Sequence, residues 1–417
     1  MESRTNVKPT VLVVSTSRSF SAARLAMALV NAGCTVKAVC PPRHPLARTS
    51  AVSQVHTYHG LAPLVSLAGA IAATKPDLVL PFDDLATLHL HDLYHRELRR
   101  EKAGAPTLSL IERSLGAATS FPIVYARTTT MELAEGEGIR VPKSEVVRNA
   151  YDVRKSIARM GFPIVLKANA TSGGDGVSIV HTLEEAEHAL RALAAPPLLA
   201  RAAKRALIDQ DMTLVWPSVL RRRYVVNAQA FVEGREATSA IACWKGTVLA
   251  SLHFEVLKKQ DAGGPSTVLR LIENPEMSAA AEKMVRRLKL SGLHGFDFML
   301  EAQTGNPYLI EINPRATQVG HLTLGLGRDL PAALYAAVTG EVIQTAPKVT
   351  ENDTIALFPQ EWVRNPASAF LRSSYHDVPW EEPDLVRVCI RRRGNQSSWY
   401  LQQSWIEALL RIRRPRP

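Results

Sequence analysis

The residues best suited to chemistry lie in two runs, Phe296-Asp297-Phe298-Met299-Leu300-Glu301 and Leu309-Ile310-Glu311-Ile312-Asn313-Pro314-Arg315, separated by Thr304-Gly305-Asn306. This pattern predicts a β-hairpin over Gly295–Glu301 and Tyr308–Ile312. Strand side chains alternate, so Glu311 and Asn313 share one face and Ile312 takes the other, while Asp297 on the partner strand adds a third oxygen. Such a set suits Mg²⁺ (or Mn²⁺), a hard cation that takes few protein carboxylates and fills its shell with phosphate and water. A strand with one solvated face is the plainer reading, but the apolar neighbours of Asp297 and Glu311 make unpaired carboxylates costly there. Arg315 presents a fork of donors suited to charge developing on a transferring phosphoryl group, or to a structural ion pair.

Lys167 ends the apolar run Pro163–Ala168 and precedes Thr171-Ser172-Gly173-Gly174-Asp175-Gly176, with Val177–Val180 as the returning strand. An ammonium there can meet phosphate oxygens, and a glycine-rich backbone lets N–H groups approach the same anion without a Cβ in the way. An ordinary hairpin beside a snorkelling lysine has the same sequence signature. The spacing is not that of a Walker loop, which needs Gly-Lys-Ser/Thr opening a helix. Gln229-Ala230-Phe231-Val232-Glu233-Gly234 reads as a strand end, able to line an adenine pocket or simply to fill a core. On the flanks of Gln260–Thr267, Lys258 or Lys259 could reach a phosphate and Arg270 a substrate carboxylate, or the segment is a surface turn with basic flanks.

Taken in order, Lys167, the glycine-rich loop, Gln229 to Gly234, Asp297 and Glu311-Ile312-Asn313-Pro314-Arg315 resemble the ATP-grasp superfamily, in its carboxylate-amine ligase and carbamoyl-phosphate-synthase-like branch. The resemblance covers about Phe121 to Gly340. It implies an α/β protein with an ATP-grasp fold, two α+β subdomains sandwiching ATP, preceded by a Rossmann-like parallel α/β domain. By position it assigns Lys167 and Arg127 to the phosphates and closes Ser172, Gly173, Gly174 and Gly176 over them. It places Gln229, Phe231 and Val232 at the adenine and Glu236 at the ribose. Asp297, Glu311 and Asn313 become metal ligands, and Arg315 with Lys167 becomes the catalytic pair. The implied activity is an ADP-forming ligase that joins a small-molecule carboxylate to an amine through an acyl phosphate. Two alternatives stay open, a non-catalytic ATP-binding module and a carboxylase or carbamoyl-phosphate-type enzyme.

Three departures from the family pattern carry information. Arg127 stands where a lysine is usual, keeping the charge and changing its geometry. Gln229 replaces a frequent glutamate, and its amide oxygen can still accept from an adenine amino group. Gln318-Val319-Gly320-His321 resembles the Gln-Val-Glu-His of biotin-dependent carboxylases, with glycine at the position of the base. His321 could then touch substrate or merely start a helix.

Elements that would position these residues follow from the hydrophobic period. Strands at Thr10–Ser15, Thr35–Cys40 and Pro76–Pro81 alternate with helices over the Ala/Leu-rich segment ending at Asn31 and over Leu61–Thr74, the signature of a parallel sheet with ligands at its carboxyl edge. Asp83-Asp84 follows the last of these strands, as an amine contact or a helix cap. A capping box at Thr182-Leu-Glu-Glu starts another helix. The expected division is 1–118, a pre-ATP-grasp α/β domain; 119–345, the ATP-grasp domain; and 346–417, an aromatic and basic extension.

Composition narrows the class. The 417 residues are 46% hydrophobic and 21% charged, an ordinary globular balance with room for a large core. The net charge of +11 sits largely in arginine runs, without the aromatic pattern of RNA-binding folds, so no nucleic acid is expected. No apolar run reaches spanning length, a membrane partner is not expected, and the amphipathic stretch from Trp399 to Leu410 reads as packing against its own domain or a second copy in a homodimer. Four scattered cysteines give neither a zinc site nor a disulfide framework, and the polar start lacks a secretory pattern, so the expected compartment is the cytoplasm.

Overall fold

A computed structural model of the protein describes residues 8–100, 105–168, 176–204, 206, 214–261, 263–342 and 346–391. The described strands form three sheets. The first is parallel and contains β1 (Thr10–Val14), β2 (Thr35–Cys40), β3 (Val52–Thr57) and β4 (Leu78–Pro81) in the order β3-β2-β1-β4. Val11 to Val14 are all buried, as expected of a parallel strand covered on both faces. Val11 and Val13 cluster with Ala22 and Leu25 of the helix Phe20–Asn31, whereas Leu12 and Val14 cluster with Leu67 and Ile71 of the helix Pro63–Thr74. Strand β3 has no counterpart in the sequence reading. It is an edge strand with mostly exposed side chains, so it lacks the apolar run that marks its neighbours.

The second sheet contains β5 (Ser144–Val147), β6 (Ile164–Ala168), β7 (Val177–Val180) and β8 (Val226–Ala230), paired antiparallel in the order β5-β8-β6-β7. Ile164, Leu166, Val226 and Ala228 pack with the helices Ala150–Met160 and Leu183–Ala194. Alternation therefore turns Lys167, Asn227 and Gln229 to the other face. Asn149 caps the first of these helices by accepting from the Asp152 N–H at 2.9 Å, and Thr182 caps the second by accepting from the Glu185 N–H at 3.2 Å. The expected capping box is only half made. The Glu185 carboxylate accepts from the His181 N–H at 2.7 Å, one residue before the cap, where the chain enters the turn.

The third sheet holds β9 (Gly234–Trp244), β10 (Thr247–Lys259), β11 (Ser266–Leu271), β12 (Gly292–Glu301), β13 (Pro307–Asn313), β14 (Thr354–Leu357) and β15 (Tyr375–Asp377), in the order β13-β12-β9-β10-β11-β14-β15. On one face Ile241, Phe296, Phe298 and Ile312 pack on Met277, Met284 and Leu288 of the helix Pro275–Leu288. On the other, Ala240, Leu252, Phe254 and Leu269 share one core with Val11, Leu25 and Leu80. The parallel sheet and the largest sheet thus rest on continuous apolar packing. Strand β14 pairs antiparallel with β11 and β15 runs parallel to β14, so residues 354–377 extend the sheet that carries the acidic hairpin. Among the described residues no helix is long and apolar enough to cross a membrane, and Cys34, Cys40 and Cys243 are free and buried.

Backbone approach fixes how the first sheet meets the third. Gly116 has φ +103°, bridges Leu290, and a Cβ there would meet the Lys289 carbonyl oxygen at 2.3 Å. Gly69, inside the helix Pro63–Thr74, has nothing within 4 Å of its would-be Cβ. Gly116→Ala should therefore lose about 1–3 kcal/mol through backbone strain and collision. Gly69→Ala should be neutral or gain up to about 1 kcal/mol from helix propensity. Urea unfolding of the two variants checks both signs.

Candidate active site

The hairpin places its polar residues as alternation requires. Asp297 on β12 lies opposite Glu311 on β13, and Gly295 opposite Asn313, with a bulge just after Asp297. Asn313 Nδ2 donates to Asp297 Oδ2 at 2.8 Å, and Thr238 Oγ1, from β9, donates to Asp297 Oδ1 at 2.8 Å. Burial and then the like charge of Glu311 push the Asp297 acid up from the usual carboxylate range, against the two hydrogen bonds. Thr238 is a site residue that the sequence did not disclose, because a threonine in a strand signals only β-propensity.

Two arginines tie this hairpin to its surroundings. Arg127, the first residue of the helix Arg127–Gly136, reaches Glu311 Oε1 at 2.6 Å with one guanidinium nitrogen. With the other it donates to the Ala168 carbonyl at 2.7 Å, so one side chain spans the second and third sheets. Arg315 pairs with Asp84 Oδ1 at 3.0 Å and donates to Asn313 Oδ1 at 3.3 Å. Burial opposes the charge on Arg315, but the Asp84 pair outweighs it and holds the guanidinium firmly protonated. Asp84 opens the helix Asp84–Arg100, while Asp83 caps it by accepting from the Ala86 N–H at 2.9 Å and also accepts from the Thr16 N–H at 2.6 Å.

Lys167 completes the cluster from β6. Burial lowers its pKa to about 8, Glu311 raises it and Arg127 lowers it further. Lys167, Arg127, Asp297, Glu311, Asn313 and Arg315 therefore converge from three separate stretches of chain. Among the described residues no group of three His, Cys, Asp or Glu could hold a metal. Among the described residues the hairpin supplies two carboxylates and an amide oxygen, a donor set that fits a Mg²⁺ keeping water and phosphate ligands rather than a fully ligated zinc.

The remaining predicted residues are less concentrated. Gln229 is buried and donates to Ser144 Oγ at 3.0 Å, across the β5–β8 pair. Phe231 is exposed and Val232 half-buried in the link between β8 and β9, and Glu236 is held by Lys259 at 2.8 Å. Gly176 closes the β6–β7 turn at φ +142°, and its carbonyl accepts from the Ala168 N–H at 2.8 Å. Ser172, Gly173 and Gly174 lie outside the described residues, as does the stretch Trp399 to Leu410. Arg270 is paired with Glu255. His321 starts no helix. Its Nε2 meets Asp377 Oδ2 of β15 at 2.6 Å, a partnership the sequence could not show across so many intervening residues.

Comparison with known proteins identifies the class this geometry defines. The family profile for the carbamoyl-phosphate synthase L chain, ATP binding domain, matches residues 126–324. The large-chain N-terminal section of carbamoyl phosphate synthase from Aquifex aeolicus is 26% identical over 212 residues, covering 49% of this chain and 34% of that protein. The fold resembles N5-carboxyaminoimidazole synthase from Aspergillus clavatus, with a TM-score of 0.57, 16% identity, and coverage of 81% of this chain and 78% of the other. It also resembles the biotin carboxylase domain of 2-oxoglutarate carboxylase from Hydrogenobacter thermophilus, with a TM-score of 0.56, 15% identity, and coverage of 81% and 70%. The chain carries an ATP-grasp fold preceded by a parallel α/β sheet. Its likeness to carbamoyl phosphate synthase includes this ATP-grasp part of the chain. The chain spans 34% or less of the length of the first curated relatives it matches.

Asp297 is held at the expense of stability. Its carboxylate is buried beside Glu311, and both of its hydrogen bonds can survive as an amide, since the Thr238 hydroxyl can accept as readily as donate. Asp297→Asn should raise the unfolding free energy at pH 7 by about 1 kcal/mol. The urea midpoint measures the gain, and Mg²⁺ should no longer shift that midpoint in the presence of nucleotide.

Proposed function

We propose that the protein is an ATP-dependent carboxylate-amine ligase that forms ADP, and that the convergence of Lys167, Arg127 and Arg315 on Asp297, Glu311 and Asn313 carries this reading. ATP lies between the second and third sheets, its phosphates on Lys167 and Arg127. Gln229, Phe231 and Val232 flank the adenine, with Glu236 toward the ribose once Lys259 releases it. Asp297, Glu311 and Asn313 hold Mg²⁺, which neutralises phosphate charge when bound. Arg127 is paired with Glu311, so its guanidinium exchanges that carboxylate for phosphate oxygens when the nucleotide binds.

The substrate carboxylate oxygen attacks the γ-phosphorus, the bond to the β–γ bridging oxygen breaks, and ADP leaves with its electron pair. The amine then attacks the acyl carbon, phosphate leaves, the amine gives up a proton, and an amide remains. Arg315, anchored by Asp84, steadies the transferring phosphoryl group, and positioning supplies most of the rate. No protein nucleophile is needed. Gly320 supports amide formation over bicarbonate chemistry. A Cβ there would meet Thr317 O at 3.5 Å and Leu330 Cδ2 at 3.9 Å, so the backbone does not demand glycine, and the position of the carboxylase base carries no carboxylate. The substrates are small molecules. Buried free thiols at Cys34, Cys40 and Cys243 suit the cytoplasm as the compartment, and a homodimer remains the proposed assembly.

Turnover of γ-labelled ATP with pools of carboxylates and amines should release ADP and phosphate, and release of AMP and pyrophosphate would overturn the acyl-phosphate route. Lys167→Ala and Glu311→Ala should each abolish it. The lysine also gives the binding a pH signature. Its ammonium is the form that binds phosphate, so affinity for a non-hydrolysable ATP analogue should be constant below about pH 8 and fall as pH rises through that value, by up to about tenfold per unit. Calorimetry at pH 7 and 9.5 checks this, and Lys167→Met should remove that component of the slope.

A further inference from the structure

A cavity of about 790 Å³ lies away from the nucleotide cluster, between the helix Phe20–Asn31, the helix Leu330–Thr339 and the segment around β15. It shares no lining residue with that cluster, and its size suits a small organic ligand. Tyr335, Tyr375 and Trp380 give it aromatic walls, with Met27 and Val378 between them. Three carboxylates, Asp329, Glu341 and Glu381, line it against a single guanidinium, Arg24. That guanidinium is shared by Asp377, at 2.5 Å, and Glu381, at 3.5 Å, so Asp329 and Glu341 line the cavity with no cation paired to them among the described residues.

The histidines sharpen the character of the cavity. His376 lines it beside Phe358, with ring centroids 5.8 Å apart, and burial lowers its pKa to about 4, so the ring adds no positive charge to the lining at pH 7. His321 lines it too but is engaged by Asp377. Acidic groups and π faces together form the chemistry that holds an organic ammonium: charge on the carboxylates and cation–π contact with the rings. We propose that this cavity is a second small-molecule site, for a primary ammonium carrying an apolar or aromatic body.

The proposal stands apart from the ligase reading, because its test reads binding alone. Phenethylammonium, 2-phenylethanol and 3-phenylpropionate share a body and differ in charge, and each is titrated into the full chain by calorimetry at pH 7. The ammonium should bind saturably, at least about fivefold tighter than the alcohol, with no binding of the carboxylate. Glu381→Gln, at a largely exposed side chain that the fold does not require, should weaken the ammonium about fivefold, and Trp380→Ala at least as much. Lys167→Ala should leave the affinity unchanged. Absence of saturable binding of the ammonium, equal affinity for the three probes, an unaltered affinity in Glu381→Gln, or loss of binding in Lys167→Ala would each overturn the assignment.

Discussion

The active-site cluster depends on the desolvation of Asp297. A buried carboxylate beside Glu311 is tolerable only if positive charge and donated hydrogen bonds surround it, and each neighbour can be understood as part of that compensation. Thr238 and Asn313 donate to it directly. Arg127 answers the adjacent Glu311, and Arg315 adds its field while being held in turn by Asp84. The cluster is thereby neutralised from within, and only an anion and a cation arriving together could exchange with these partners without leaving net charge behind.

The chain just after Asn313 transmits that arrangement through the fold. Pro314 offers its carbonyl to Thr87 Oγ1 at 2.9 Å, Arg315 meets Asp84, and the Ala316 N–H donates to the Pro81 carbonyl at the end of β4 at 3.0 Å. Gln318 then donates to Ser266 Oγ of β11 at 2.7 Å, and His321 reaches Asp377 on β15. Strands β13 and β15 are the two edges of the seven-stranded sheet. One short strap therefore runs from the acidic hairpin at one edge to the far edge and stitches the parallel sheet on the way. Its far end lines the second cavity, so the acidic hairpin and that cavity are joined by covalent chain and by side-chain hydrogen bonds.

Much of this was legible because the hydrophobic period and the turn residues agree. The hairpin of Asp297 and Glu311 is bounded by Thr304-Gly305-Asn306, and the buried β1 is a continuous apolar run between polar residues, so local signals sufficed. What escaped the sequence had no local signal. Edge strand β3 is polar, and the short β14 and β15 owe their existence to pairing, β14 with β11 across the chain and β15 with β14. The partners Thr238, Asp84 and Asp377 are ordinary residues on distant elements, and only topology brings them to Asp297, Arg315 and His321. Sequence motifs located the charges of the site; their counter-charges came from the fold.

That asymmetry bears on Arg127. A lysine at this position could place one point charge on a phosphate, but its single nitrogen could not also hold two partners in a fixed plane. The guanidinium donates to the Ala168 carbonyl at the end of β6 and pairs with Glu311 on β13 at the same time, so it ties the sheet carrying Lys167 to the sheet carrying the acidic hairpin. The departure from the usual lysine thus adds a mechanical role to an electrostatic one. The same side chain that carries the charge therefore also sets the separation of the two sheets it bridges.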